Sequence, residues 1–241
     1  MAERIRIQKA IASAGLMSRR AAEEAMLAGR VLLDGRPVRL GDRVDIEHQV
    51  LTLDGLPVPV NPKVETHLLY KPVGVVSSAR DPQGRTTVVD LVPSERRLYP
   101  VGRLDADSEG LILVSNDGDL THRVTHPSFG ITKTYMVEVK GSPGKGAMRR
   151  LVEGVELEDG LARAQSARVV DSLGGKAMVE LVMVEGRNRE VRRMMSAVGH
   201  DVLRLVRTAI GPITDPNLQP GESRRLSATE VRRLLASGKK R

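Results

Sequence analysis

The amino-acid sequence predicts an α+β protein in two parts: a small N-terminal unit of two helices and a short sheet, then a larger unit richer in strands. Three observations carry this. Two helix-like segments with defined ends open the chain, and short β-rich runs bounded by turn residues follow. Leu56–Lys63, LPVPVNPK, then sets three prolines in eight residues, the composition of an extended, stiff connection. Beyond it, apolar or alternating runs outnumber helix-like ones. Domains are therefore expected at 1–60 and 67–241, with 61–66 as the linker.

Ile7–Ala14 is helical in composition and ends at Gly15, which accepts positive φ without steric cost. Ser18 is placed to cap RRAAEEAMLA, which stops at Gly29. Val31–Leu33, the Asp34-Gly35 turn and Pro37–Val38 read as a tight hairpin, with Val44–Ile46 and Val50–Leu53 as further short strands. In the larger part, strands are expected at His67–Tyr70, Val73–Ser77, Leu98–Val101, Leu111–Ser115, Lys133–Val139, Ala167–Val170, Lys176–Val184 and Val202–Ile210. Helices are expected at Asp119–Thr125, Gly144–Glu153, Asn188–Ala197 and Ala228–Ser237. The last is marked by Ser227 and Glu230, spaced as a capping box, and by Gly238 at its end.

Composition narrows the function. The chain has 241 residues and no cysteine, which removes disulfides and thiolate chemistry. Its few aromatics are Tyr70, Tyr99, Phe129 and Tyr135, so a flat ligand has few rings to stack on. No run is long and apolar enough for a membrane span, and MAERIRIQK lacks the apolar stretch of a signal peptide; no membrane partner and a cytoplasmic location are expected. Charge is nearly balanced over 1–62 and 63–186, and the net +8 falls on 187–241, almost all of it arginine. A guanidinium fork suits phosphate, so this excess favours a polyanionic partner, although an Arg-rich, Lys-poor composition also follows from a GC-rich genome.

Candidate chemistry starts at YPVGRLDADSEGLILVSNDG, residues 99–118, where Asp105 sits in a turn between two strand-like runs, a junction where enzymes often place a reacting group. A calcium loop is the first rival, because Asp105, Asp107, Glu109 and Gly110 fit its first half. It fails at the twelfth position, where Asn116 stands in place of a bidentate Glu, and strands flank it instead of helices. A plain solvated turn is the stronger rival. The scattered histidines show no metal-ligand spacing, and no metal is expected. Arg19 and Arg20 stand in the first turn of the second predicted helix, where the macrodipole disfavours cations; facing an anion explains them slightly better than mere solvation.

Gly15, Ser18-Arg19-Arg20-Ala21, Gly29, Val31 and Gly35 form a spaced pattern over residues 5–52 that resembles the S-four-type RNA-binding domain. In the larger part, YKPVGVVSS (70–78), VGRLDADSEGLILVSNDGDLTHRVTHPS (101–128) and EGRNREVRRMMSAVGHDVLRLVRTAIG (185–211) together resemble the RsuA/RluB/RluE/RluF family of rRNA pseudouridine synthases. The resemblance implies a catalytic domain on a mostly antiparallel sheet and isomerisation of a uridine in rRNA, without a cofactor. The substrate is then rRNA or a ribosome assembly intermediate, and the large subunit is favoured over the small one. A monomer is the default for an enzyme with so large a substrate. The rival from another class is a ribosome-associated RNA binder with an inactive synthase fold.

Carried across by residue, the resemblance places the catalytic aspartate on Asp105, the base-contacting tyrosine on Tyr135 and the arginine that ion-pairs with the aspartate on Arg192. Gly102, Arg103, Leu104, Lys71, Arg187, Asn188, Arg189 and Arg193 are expected to bind substrate, and Lys9, Arg19, Arg20 and Arg30 to bind RNA. Ser108 stands where the family usually has Thr, Glu190 where Gln is common, and Met195 where Phe is common. Glu190 adds a negative charge near the site and bears on which RNA is favoured.

The residue chemistry agrees. An aspartate is ionised at neutral pH without help, so an arginine beside it serves to hold and aim the carboxylate in a water-poor site. A tyrosine offers a ring to lie against uracil and a hydroxyl for a hydrogen bond or proton transfer; by alternation alone, KTYMVEV suits an ordinary half-buried strand tyrosine equally well. On a helix over 188–197, Arg189 and Arg193 share a face, while Arg192 is offset by about 100° toward Val191 and Met195 and points more inward.

Overall fold

The computed structural model describes residues 4–45, 48–58 and 64–238. These fall into two compact units, one within Met1–Glu65 with Ser94–Leu98 and Asn116–Gly118, the other comprising Thr66–Pro93, Tyr99–Ser115 and the chain from Asp119. Residues 59–63, which include 61–63 of the expected linker, and Ile46 of an expected strand lie outside the described residues.

The smaller unit runs β1 (Arg4–Arg6), α1 (Ile7–Ser13), α2 (Arg19–Leu27), β2 (Val31–Leu33), β3 (Arg36–Pro37), β4 (Arg43–Asp45), β5 (Leu51–Leu53) and β6 (Leu56–Pro57). Ser18 caps α2, its Oγ accepting from the Ala21 amide at 3.2 Å. Two Asp-Gly pairs, Asp34-Gly35 and Asp54-Gly55, have all four residues at positive φ and close the β2–β3 and β5–β6 hairpins, the geometry that matches strand twist. The second hairpin was not expected, and it places Leu56 and Pro57 in a strand where a linker was predicted. β1, also unexpected, pairs with β4. Ile7, Ile11, Ala22, Met26, Val31, Val44 and Leu51 are the centre of an aliphatic core.

The larger unit contains β7 (Thr66–Lys71), β8 (Tyr99–Val101), β9 (Glu109–Ser115), α3 (Gly118–Thr125), β10 (Lys133–Lys140), α4 (Lys145–Glu153), β11 (Val155–Leu157), β12 (Gly160–Ala162), β13 (Ser166–Leu173), β14 (Lys176–Met183), α5 (Glu190–Ala197), β15 (Val202–Ile210), β16 (Ser223–Arg225) and α6 (Ala228–Ala236). An eight-stranded sheet in the order β13-β14-β10-β15-β9-β7-β16, with β8 beside β9, forms its centre. Every pairing is antiparallel except β15 with β9. Strand β9 is buried from Gly110 through Ser115, as a continuous apolar run covered on both faces should be. Strand β10 alternates instead, turning Lys133, Tyr135, Val137 and Val139 to the buried face.

Three departures have local causes. Val73–Ser77 forms no strand; Pro72 removes a donor, Gly74 turns the chain at φ +89°, and only Val76 makes a bridge, to Thr87. Helix α5 starts at Glu190 because Arg189 is left-handed, at φ +48° and ψ +28°. The β11–β12 hairpin and β16 are three-residue strands with no periodic signal. The capping box of α6 is present, with the Ser227 amide donating to Glu230 Oε2 at 2.8 Å.

Candidate active site

The turn from Gly102 to Ser108 joins β8 to β9 and is held from several sides. Gly102 turns the chain at φ +80°. Leu104 faces inward, and its backbone is gripped at both polar atoms by Ser77 Oγ, which accepts from Leu104 N at 3.0 Å and donates to Leu104 O at 2.7 Å. The Ala106 carbonyl accepts from the Gly74 amide at 2.7 Å and from Lys71 Nζ at 3.5 Å. At the far end, Gly110 lies so close to β15 that a Cβ there would collide with the Arg207 carbonyl oxygen; only glycine fits. The fixed backbone leaves the Asp105 carboxylate partly exposed in a small open cleft of about 120 Å³.

Tyr135, 7% exposed, enters this cleft from β10. Leu104, Met183, Val191 and Leu205 supply apolar wall, and the segment Glu185–Glu190 frames the remaining side. The structure thus brings Asp105, Tyr135, Arg103, Leu104, Arg187, Asn188 and Arg189 to one opening.

Other expectations are corrected. Arg192 does not pair with Asp105. Its Nη2 donates to the Asp107 carbonyl at 2.9 Å and to Ser108 Oγ at 3.4 Å, and its Nε lies 3.5 Å from the Asp107 carboxylate. The cation nearest Asp105 is Arg189, at 4.0 Å, whose fork is bidentate to Asp107 at 3.1 and 2.9 Å. Arg192 still points inward as the sequence suggested, its side chain 14% exposed against 45% for Arg189. The shared face expected for Arg189 and Arg193 does not form, because Arg189 lies before the helix.

Lys71 does not line the cleft: it is fully buried, and its Nζ donates to Pro72 O at 2.9 Å. Burial lowers its pKa to about 8 despite the nearby carboxylates of Asp105, Asp107 and Glu109. Arg193 is bidentate to Asp159 at 2.8 and 2.9 Å. Arg187 lines the cleft while its fork bonds Glu185 and the carbonyls of Asp159, Gly160 and Leu161, so both arginines anchor the β11–β12 hairpin. Gly102 shapes the turn and borders an adjoining hollow, not the main cleft. In the smaller unit, Arg30 is bidentate to Asp54 at 2.7 and 2.6 Å, which ties down the second hairpin. Arg19 and Arg20 are exposed on α2, and Lys9 is half-buried on α1.

Electrostatics sorts the site carboxylates by role. The Arg189 fork holds the Asp107 carboxyl below its usual pKa, and Arg204, bonded to Glu109 at 2.6 Å, does the same for Glu109. Both are permanent anions that fix arginines. Burial raises the pKa of Glu190, 3% exposed, whose Oε2 accepts from the Arg187 amide at 3.0 Å; it shapes the loop before α5. Sequence reasoning missed two buried cations under the turn, Lys133 and Arg207, at 9% and 4% exposure. Alternation held the signal, since Lys133 shares a face with Tyr135 and Arg207 with Leu205 and Ala209.

A fold and cleft of this kind define an RNA-modifying enzyme: the family model described as RNA pseudouridylate synthase matches residues 65–197, and the S4 domain model matches residues 5–50. The chain belongs to the RNA pseudouridine synthase family. It is 45% identical to an uncharacterized RNA pseudouridine synthase of Mycobacterium leprae, over 95% of this chain and 92% of that protein. It is 41% identical to the ribosomal large subunit pseudouridine synthase B of Bacillus subtilis, over 96% of each. A crystal structure of a pseudouridylate synthase superposes with a TM-score of 0.67 at 29% identity, covering 95% of this chain and 99% of that one. Among the described residues, no helix is long and apolar enough to cross a membrane.

Proposed function

We propose that this enzyme converts a uridine of large-subunit rRNA to pseudouridine in the cleft between Asp105 and Tyr135. The observation that carries the reading is their convergence: a carboxylate on a rigid turn and a strand tyrosine line one open cleft. The near full-length match to the Bacillus subtilis large-subunit enzyme supports the choice of RNA.

Asp105 acts at the ribose, as nucleophile on the anomeric carbon or as base for a ribose proton. The bond from ribose to N1 breaks, the uracil turns against the Tyr135 ring, and C5 bonds to the ribose while losing its proton; N1 regains a proton, so the sum is an isomerisation. Reaching the uridine costs a few kcal/mol of unstacking, which RNA contacts elsewhere must supply. Arg19 and Arg20 of the smaller unit, exposed and at the start of a helix, are suited to phosphate.

Carbodiimide mapping of unmodified large- and small-subunit rRNA tests the reading. Wild type should give a new stop in the large-subunit RNA and Asp105→Ala none, with RNA binding retained. A stop only in the small-subunit RNA would reassign the substrate. Binding without any stop would leave a binding protein.

A further inference from the structure

Arg207 is a buried guanidinium whose position in the sheet is unusual. It lies on β15, between β10 and β9, directly opposite Tyr135 on one side and Gly110 on the other. Its Nε donates to Leu111 O at 2.6 Å and its Nη1 to Arg103 O at 3.5 Å. Those carbonyls bracket the turn that carries Asp105, Arg103 near its start and Leu111 as the third residue of β9 beyond it. Among the described residues Arg207 makes no ion pair, and its buried Nη2 has no hydrogen-bond partner.

Placing a charge there without a counter-charge is unfavourable, because the ion gives up its hydration. Lys71 and Lys133 add to the cost, because each feels the Arg207 charge as repulsion. An apolar residue would pack into β15 without that penalty, so the guanidinium must do something a hydrocarbon cannot. Its planar fork offers donors in two directions at a fixed spacing, and here two of them reach backbone atoms eight residues apart in sequence.

We propose that Arg207 is a positioning residue for the reaction: it fastens both flanks of the Asp105 turn to the strand beside Tyr135 and so sets the separation of the two groups across the cleft. This rests on the reading of Asp105 and Tyr135 given above. Gly110 completes the device, since the close approach that forbids a side chain at 110 brings the turn within reach of the fork. A lysine at 207 keeps the charge and offers a single ammonium in place of a fork, so it can hold one flank of the turn but not both.

The test compares wild type, Asp105→Ala, Arg207→Lys and Arg207→Gln as full-length proteins on the rRNA fragment that wild type modifies. Rates are read in single turnover and normalised to RNA-binding-competent enzyme, so partial misfolding does not enter; two variants are made so that the comparison can be read on whichever folds. Arg207→Lys should lose about 100-fold in rate, the scale expected for an ångström of misplacement, with RNA affinity within about twofold of wild type. Arg207→Gln should lose more. A variant rate within about threefold of wild type, or a loss explained wholly by weaker RNA binding, overturns the proposal. If wild type itself gives no pseudouridine, the reading of the cleft has failed instead.

Discussion

The two units use their arginines in opposite ways. In the smaller unit Arg19 and Arg20 stand exposed at the start of α2. In the larger unit six arginines of the basic C-terminal stretch are paired with the protein's own acids: Arg187 on Glu185, Arg189 and Arg192 on Asp107, Arg193 on Asp159, Arg204 on Glu109, and Arg224 on Asp215 and Glu230. Their partners lie largely in the charge-balanced middle of the chain. A segment's net charge in sequence is thus a poor guide to its surface potential. Here much of the apparent polyanion-binding segment is neutralised by internal pairs, while the nearly neutral N-terminal segment leaves Arg19 and Arg20 exposed.

The sharpest way to break this contrast is Arg192→Ala. If Arg192 is architecture, holding Asp107 O and Ser108 Oγ, its loss should lower the single-turnover rate about 100-fold and leave the salt dependence of RNA binding unchanged. A shallower salt slope with an intact rate would reverse its assignment. Arg19→Ala with Arg20→Ala should do the converse: affinity falls about tenfold at low salt, the salt slope drops by roughly 1.4 to 1.8 if both contact phosphate, and bound RNA reacts at the normal rate.

The smallest effect concerns a cation that touches neither acid nor RNA. Lys133 donates to the carbonyls of Val124 and Ile131 at 2.9 Å, and burial lowers its pKa to about 8. Between about 8 and the ordinary lysine value near 10.4 the unfolded chain binds more protons than the folded one, so this residue makes stability rise with pH across that window. Urea titrations at pH 7.5 and 10 should show wild type gaining on Lys133→Met as pH increases. No gain, or a loss, of wild type relative to Lys133→Met as pH rises would mean Lys133 is held charged.

Strand β10 and helix α6 were legible in the sequence because period-two alternation and a capping box are local signals. The hairpin at Asp54-Gly55 was equally local, but the prolines that follow read as a linker and hid it. Asp105, Tyr135 and the loop before α5 were found through their motifs. Which arginine faces which acid was not, because a left-handed Arg189 moves the helix start and redistributes the forks. Arg207 escaped because the arginines of LRLVRTAIG read as interruptions of an apolar strand; the partners of Arg207, Arg103 and Leu111, lie about a hundred residues upstream.

The parallel pairing of β15 with β9 has a consequence in time. The strand that braces the Asp105 turn follows it by about a hundred residues, whereas the main body of the smaller unit, Met1–Glu65, precedes both in the chain. Domains fold as units during synthesis, N-terminal first, and long-range pairing is slow. A nascent chain can therefore present a folded RNA-binding unit while its reaction centre is still open, so that capture of RNA precedes competence to modify it.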